Sequence, residues 1–90
     1  MKALLISSVI TLTFAGSAIA GPKCTDVERS SWMSQDAMKQ QISDQGYRIK
    51  KFKETSGNCY EIYGYDNKDR KVEIYFNPVT GEAVKTEIDD

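Results

Sequence analysis

The chain has 90 residues, with 12 basic and 13 acidic side chains, two cysteines and no histidine. Its first twenty residues, Met1–Ala20, read as a secretory signal peptide: Lys2, an apolar stretch over Leu4–Phe14, then the small residues Ala18-Ile19-Ala20 before Gly21. Thirteen of the 36 apolar residues fall in that leader, so 23 remain to build one small domain of net charge −2; this excludes a large enzyme, a strongly basic nucleic-acid binder and a membrane span.

Residues 21–31 are polar and aperiodic and read as an extended N-terminal arm, with Val27 and Trp32 as the apolar side chains that dock it and a weak helical turn around Asp26–Ser30. An exported chain meets an oxidising compartment, and its two cysteines, Cys24 and Cys59, leave no thiol over. The expectation is a structural disulfide closing a loop of roughly 35 residues and contributing about 3–4 kcal/mol. Gly21-Pro22-Lys23 before Cys24 does not suit lipoprotein processing, which leaves a periplasmic or secreted protein.

The clearest local signal comes next. Ser34 is a good N-cap, Asp36 stands in the first turn where a carboxylate suits the helix dipole, and Gly46 follows the last helical position. Met33 and Met38 occupy the two positions of a hydrophobic staple, and Tyr47 and Ile42 those of a Schellman close. The pattern predicts a helix over Gln35–Gln45 with a narrow buried stripe of Ala37, Met38 and Ile42.

From Tyr47 the period changes from 3.6 to 2. Tyr47 and Ile49 alternate with Arg48 and Lys50, and a bulge near Lys50–Lys51 is needed to bring Phe52 to the inner face. Ser56-Gly57-Asn58 makes a turn into a second strand, Cys59–Tyr65, and Asn67-Lys68-Asp69 a turn into a third, Lys71–Phe76, with Val72, Ile74 and Phe76 inward. Asn77-Pro78-Val79-Thr80-Gly81 leads to a weaker fourth strand, Glu82–Ile88, with Val84 and Ile88 on one side. Turns this short join antiparallel neighbours. The expected fold is α+β: one main helix packed on one face of a four-stranded antiparallel meander sheet.

Catalysis finds few candidates. A serine or cysteine nucleophile needs a base, and the chain has no histidine, while Ser30, Ser31 and Ser34 have no lysine at a recognisable spacing. Glu61 and Glu73 fall on adjacent strands like a glycosidase pair, but one helix over four strands offers no deep cleft to raise one pKa, so the carboxylates are expected on solvated strand exteriors and turns. The Asp66, Asn67, Asp69 turn lacks the central glycine and terminal glutamate of an EF-hand and reads as turn chemistry. No catalytic residue, metal ligand or cofactor is assigned.

Two surfaces remain. Arg48, Lys50, Lys51 and Lys53 form a basic run largely on the outer face of the first strand, suited to an acidic partner or an anionic membrane surface, to edge protection or to pairing with Glu61 or Glu73. Tyr63, Tyr65 and Tyr75 share the sheet face away from the helix and are expected to be at least half exposed, which marks an interface or cross-strand packing. The candidate interaction face is Tyr63, Tyr65, Tyr75, Arg48 and Lys50.

The span Trp32–Glu87 resembles the PepSY family in its short exported form. The resemblance is carried by Trp32-Met33-Ser34, Gln45-Gly46-Tyr47-Arg48-Ile49, Cys59-Tyr60-Glu61-Ile62-Tyr63, Val72-Glu73-Ile74-Tyr75 and, above all, Asn77-Pro78-Val79-Thr80-Gly81-Glu82, which is similar to the family's (Asp/Asn)-Pro-x-Thr-Gly-Glu turn. Family members often have glycine before the third strand, where this chain has Asn67-Lys68-Asp69-Arg70. The resemblance implies a helix on an antiparallel sheet over residues 32–88 and a role like that of propeptide domains that restrain secreted metallopeptidases, with no catalytic residues to carry over. The expected function is therefore a non-enzymatic exported interaction module whose partner is an unidentified protein, such as a secreted or envelope peptidase. The alternative is a periplasmic protein binding a small ligand or metal through the tyrosine face or the acidic turns.

Overall fold

A computed structural model describes residues 21–89; the expected leader, Met1–Ala20, lies outside them. After the arm, a single 3-10 turn (Arg29–Ser31) leads to one helix, α1 (Gln35–Asp44), and four strands: β1 (Arg48–Glu54), β2 (Tyr60–Tyr65), β3 (Lys71–Phe76) and β4 (Ala83–Asp89). Their spatial order is their chain order and every pairing is antiparallel, so the sheet is the expected meander.

Both helix ends are built as their residues dictate. Ser34 Oγ accepts from the Ala37 N–H at 3.0 Å. At the other end Gly46 takes φ +98°, open to glycine at no steric cost, and this aligns the Gly46 N–H with Ser43 O (3.0 Å) and the Tyr47 N–H with Ile42 O (3.4 Å). Met33 and Tyr47, just outside the helix, pack on the same core as Met38 and Ile42 within it. Ala37, expected in the buried stripe, is exposed. It stands about 100° round the helix from Met38, whereas Gln41 lies one turn on beside Ile42 and is half-buried in its place.

Phe52 reaches the inner face because the β1–β2 register shifts between Ile49 and Lys51, at the expected bulge. The bulge needs a close approach: the Arg48 carbonyl lies where a β-carbon on Gly64 would stand, so only glycine fits opposite it. Under α1 the core is Met38, Ile42, Tyr60, Ile62, Val72, Ile74 and Phe76, all buried, flanked by Trp32, Met33, Tyr47, Ile49 and Phe52. Trp32 meets Tyr60 edge-on, and the Tyr60 hydroxyl donates to Met33 O at 2.7 Å. Val27 does not dock the arm as expected; it remains exposed, and its carbonyl accepts from Trp32 Nε1 instead.

The helix packs toward the β1 side of the sheet. All seven residues of β4 are exposed as a result, including Val84 and Ile88. Among the described residues no helix is long and apolar enough to cross a membrane.

Candidate functional site

The sheet face away from α1 is set by the period of the strands. Register places Lys53 opposite Glu61 and Lys51 opposite Tyr63 across β1–β2, then Glu61 opposite Tyr75 and Tyr63 opposite Glu73 across β2–β3. Glu87 lies opposite Glu73 across β3–β4. This back face thus carries a basic band on β1, tyrosines along β2 and carboxylates from β2 to β4.

Of the five residues expected to form an interaction face, four meet solvent. Tyr63 is exposed, with Lys51 and Lys53 Nζ 5.9 and 5.8 Å from its ring centroid. Lys50 joins Lys51, Lys53 and Tyr63 around one shallow depression. Arg48 lies over the half-buried Tyr65 at 5.3 Å and pairs with Asp69 at 2.8 Å. Tyr75 departs from expectation: it is only 6 % exposed. The disulfide is the reason. Cys24 bridges Cys59, 35 residues on, and the arm is held across the back of β2 and β3 by the Cys24 N–H to Gly57 O, by Asn58 Nδ2 to Thr25 O and by Asn77 Nδ2 to Cys24 O. That course lays Gly21 on the Tyr75 ring so closely that any side chain there would collide with it.

Glu61 is the second departure. Expected on a solvated face, it is 2 % exposed. Its Oε1 has Lys53 Nζ at 3.8 Å, and its Oε2 makes no hydrogen bond. Burial drives its pKa above the ordinary carboxylate range, and the neighbouring Glu73 adds to the rise. Glu73 moves the other way, to about 2, held ionised by the Glu61 carboxyl first and then by the hydroxyls of Tyr75 and Tyr63. The Tyr75 hydroxyl donates to Glu73 Oε2 at 2.9 Å. Both phenols rise in turn: Tyr63 is pushed up to about 12 by Glu61 and then Glu73, and Tyr75 is raised by burial and then Glu73. Two neighbouring carboxyls push each other apart in pKa: the buried Glu61 moves up and the more open Glu73 moves down. Such a split is what acid–base catalysis uses, but here the raised carboxyl, Glu61, is almost fully buried.

The other acidic group is spent on structure. Asp66 Oδ1 accepts from the N–H groups of Lys68 and Arg70, both at 2.9 Å, and Oδ2 from Arg70 Nε at 2.8 Å, which holds its carboxyl below the usual range. Asp69 takes φ +64° in this turn, the left-handed conformation a glycine would otherwise supply.

Asn77-Pro78-Val79-Thr80-Gly81-Glu82 ties three regions together. Asn77 Oδ1 accepts from the N–H groups of Val79 (2.8 Å) and Thr80 (3.2 Å), and the Asn77 N–H donates to Glu82 O at 2.8 Å. Outward from the turn, Asn77 Nδ2 reaches the arm, Pro78 O accepts from the Met33 N–H at the helix start, and Gly81 O accepts from Gln41 Nε2. Sequence reasoning missed Gln41 and the burial of Glu61. Gln41 had a signal, its place three residues after Met38 on the inward stripe. Glu61 left none: the period of 2 puts it on the back face without saying how deeply it is buried there.

A family model described as peptidase propeptide and YPEB domain, of the PepSY group, matches residues 4–87. No match is found among curated proteins or among solved structures.

Proposed function

The chain belongs to the PepSY family of peptidase-propeptide and YPEB domains, and on that premise we propose that it is an exported, non-enzymatic interaction module that restrains a peptidase. The observation that carries the reading is the patch of Tyr63 with Lys50, Lys51 and Lys53 around one depression, continued by Tyr65 under Arg48. Aromatic rings beside cations give rigid contact area at low entropic cost together with a charge that selects an acidic partner surface. Tyr75, Glu73 and Glu61 lie beside this patch on the same face, and their network stiffens the β2–β3 pair on which Tyr63 is mounted.

The measurement is a titration of a secreted metallopeptidase with the chain purified from the exported fraction. Restraint predicts loss of peptidase activity at near-stoichiometric ratio. Tyr63→Ser combined with Lys51→Glu should weaken it at least tenfold with little change in melting temperature, since both side chains are exposed. Full inhibition by the doubly substituted chain would move the contact off this patch. Unchanged peptidase activity with the wild-type chain would overturn the reading.

A further inference from the structure

The two edges of the sheet differ in how they are occupied. On the β1 edge Arg48 pairs with Asp69, Lys53 lies near Glu61, and α1 lies against the strand. On the β4 edge all seven residues are exposed on both faces, and Val84 and Ile88, on the apolar side, are 45 % and 46 % exposed. Lys85 and Glu87, on the opposite side, touch each other at 3.3 Å with about half of each side chain in solvent. An edge strand with open backbone groups is a template for another strand.

We propose that β4 pairs antiparallel with β4 of a second copy of this chain, in a register centred on Thr86, giving a two-fold dimer with one continuous eight-stranded sheet. The inference comes from the order of the residues. A two-fold axis normal to a sheet sets residues of the same face opposite each other, so the register must be centred on one residue. Centred on Thr86, it sets Val84 opposite Ile88 and Lys85 opposite Glu87, and symmetry repeats both pairs. The apolar side gains two aliphatic cross-strand pairs. On the opposite side the charges alternate, Lys85 to Glu87 and Glu87 to Lys85. A register centred on Lys85 sets that lysine against itself and Glu82 against Ile88; one centred on Glu87 sets that glutamate against itself. Like charges directly opposite are destabilising, so Thr86 is the self-complementary centre. Edge pairing buries a small area, which makes the dimer a weak and concentration-dependent one.

This goes beyond the peptidase reading and uses a different strand from Tyr63, so the two fail separately: a chain that stays monomeric yet slows a peptidase sinks only the dimer. The test is sedimentation equilibrium over a wide concentration range on the exported chain with its disulfide intact. Wild type should pass from one chain mass to two and stop there. Lys85→Glu and Glu87→Lys should each raise the dissociation constant at least tenfold, because each sets like charges opposite at two places. An equimolar mixture of the two variants should recover the dimer, as should the double substitution K85E/E87K. These positions are exposed, so thermal melts should be unchanged and a loss of dimer is not a loss of fold. A wild-type chain that stays monomeric at millimolar concentration overturns the proposal. So does a mass that grows past two chains, which would mean head-to-tail pairing of β4 with β1, and so do single variants that dimerise like wild type.

Discussion

Beneath α1 the sheet presents Ile62, Ile74 and Phe76, each at most 1 % exposed; on its other side Glu61 and Tyr75 are almost as deeply buried, at 2 % and 6 %. The coverings have little in common. The front is closed by a ten-residue helix whose inward side chains are apolar apart from Gln41. The back is closed by an arm held by one disulfide and a few hydrogen bonds. Burial on the front is driven by removing apolar area from water. On the back a covalent tether holds the arm over Tyr75, and Glu61, across the strand pair from that ring, is buried with one carboxyl oxygen unpartnered. The two closures therefore respond to different perturbations.

The largest effect is expected on the front. Phe76→Ala leaves a cavity in the cluster, where Phe76 is fully buried, and should cost about 3–5 kcal/mol in urea unfolding, enough to unfold a domain of this size at moderate temperature. Next comes the back: replacing both Cys24 and Cys59 by serine should cost about 3–4 kcal/mol through the freed unfolded chain. Hydrogen exchange separates the two. The serine variant should lose protection first in the arm and at Tyr75 while α1 stays protected, whereas Phe76→Ala should lower protection everywhere. Uniform loss in both variants would mean that the two faces form one cooperative unit.

Asn77→Ala probes the joint between the closures, because its side chain orders its own turn and also reaches Cys24 O. Removing these bonds should cost about 1–2 kcal/mol, with the arm carbonyl left to water. A loss below about 0.5 kcal/mol would show that the disulfide alone positions the arm.

How far the fold was legible follows the same division. Everything that depends on local chemistry could be read: Ser34 and Gly46 at the helix ends, the bulge that returns Phe52 to the core, and all three turns. Asn77-Pro78-Val79-Thr80-Gly81 could be read as a turn but not as a joint, because its outward bonds to Gln41, Met33 and Cys24 join segments far apart in sequence. The period of 2 assigns Tyr63, Tyr65 and Tyr75 to one face without saying which of them something else will cover. Residues 21–31 have no period, so the path of the arm over Tyr75 left no mark in the pattern. The exposure of β4 is similar: Val84 and Ile88 lie on the predicted side, but no residue in β4 records that the helix packs toward β1.

Glu61→Gln makes the smallest change and the sharpest one. The glutamine keeps the shape of the glutamate but carries no proton to lose. In the wild type the folded pKa of Glu61 lies above its ordinary 4.5, so the folded chain holds a proton that the unfolded chain has released. That contribution is full below pH 4.5 and is lost as pH rises through the raised value. Glu73 runs the opposite way: its contribution is present above pH 4.5 and disappears as pH falls toward about 2. Wild-type stability should therefore decline as pH rises from 4.5 through that raised value, and the Glu61→Gln variant should lack this decline and be the more stable of the two above it, where it removes a buried carboxylate beside a second one. Acid unfolding below pH 4 should persist in the variant, since Glu73 still titrates. Urea midpoints at half-unit pH steps decide it: a variant that declines above pH 4.5 as steeply as wild type would place the proton elsewhere, and the back face would then be closed over an ordinary ionised pair.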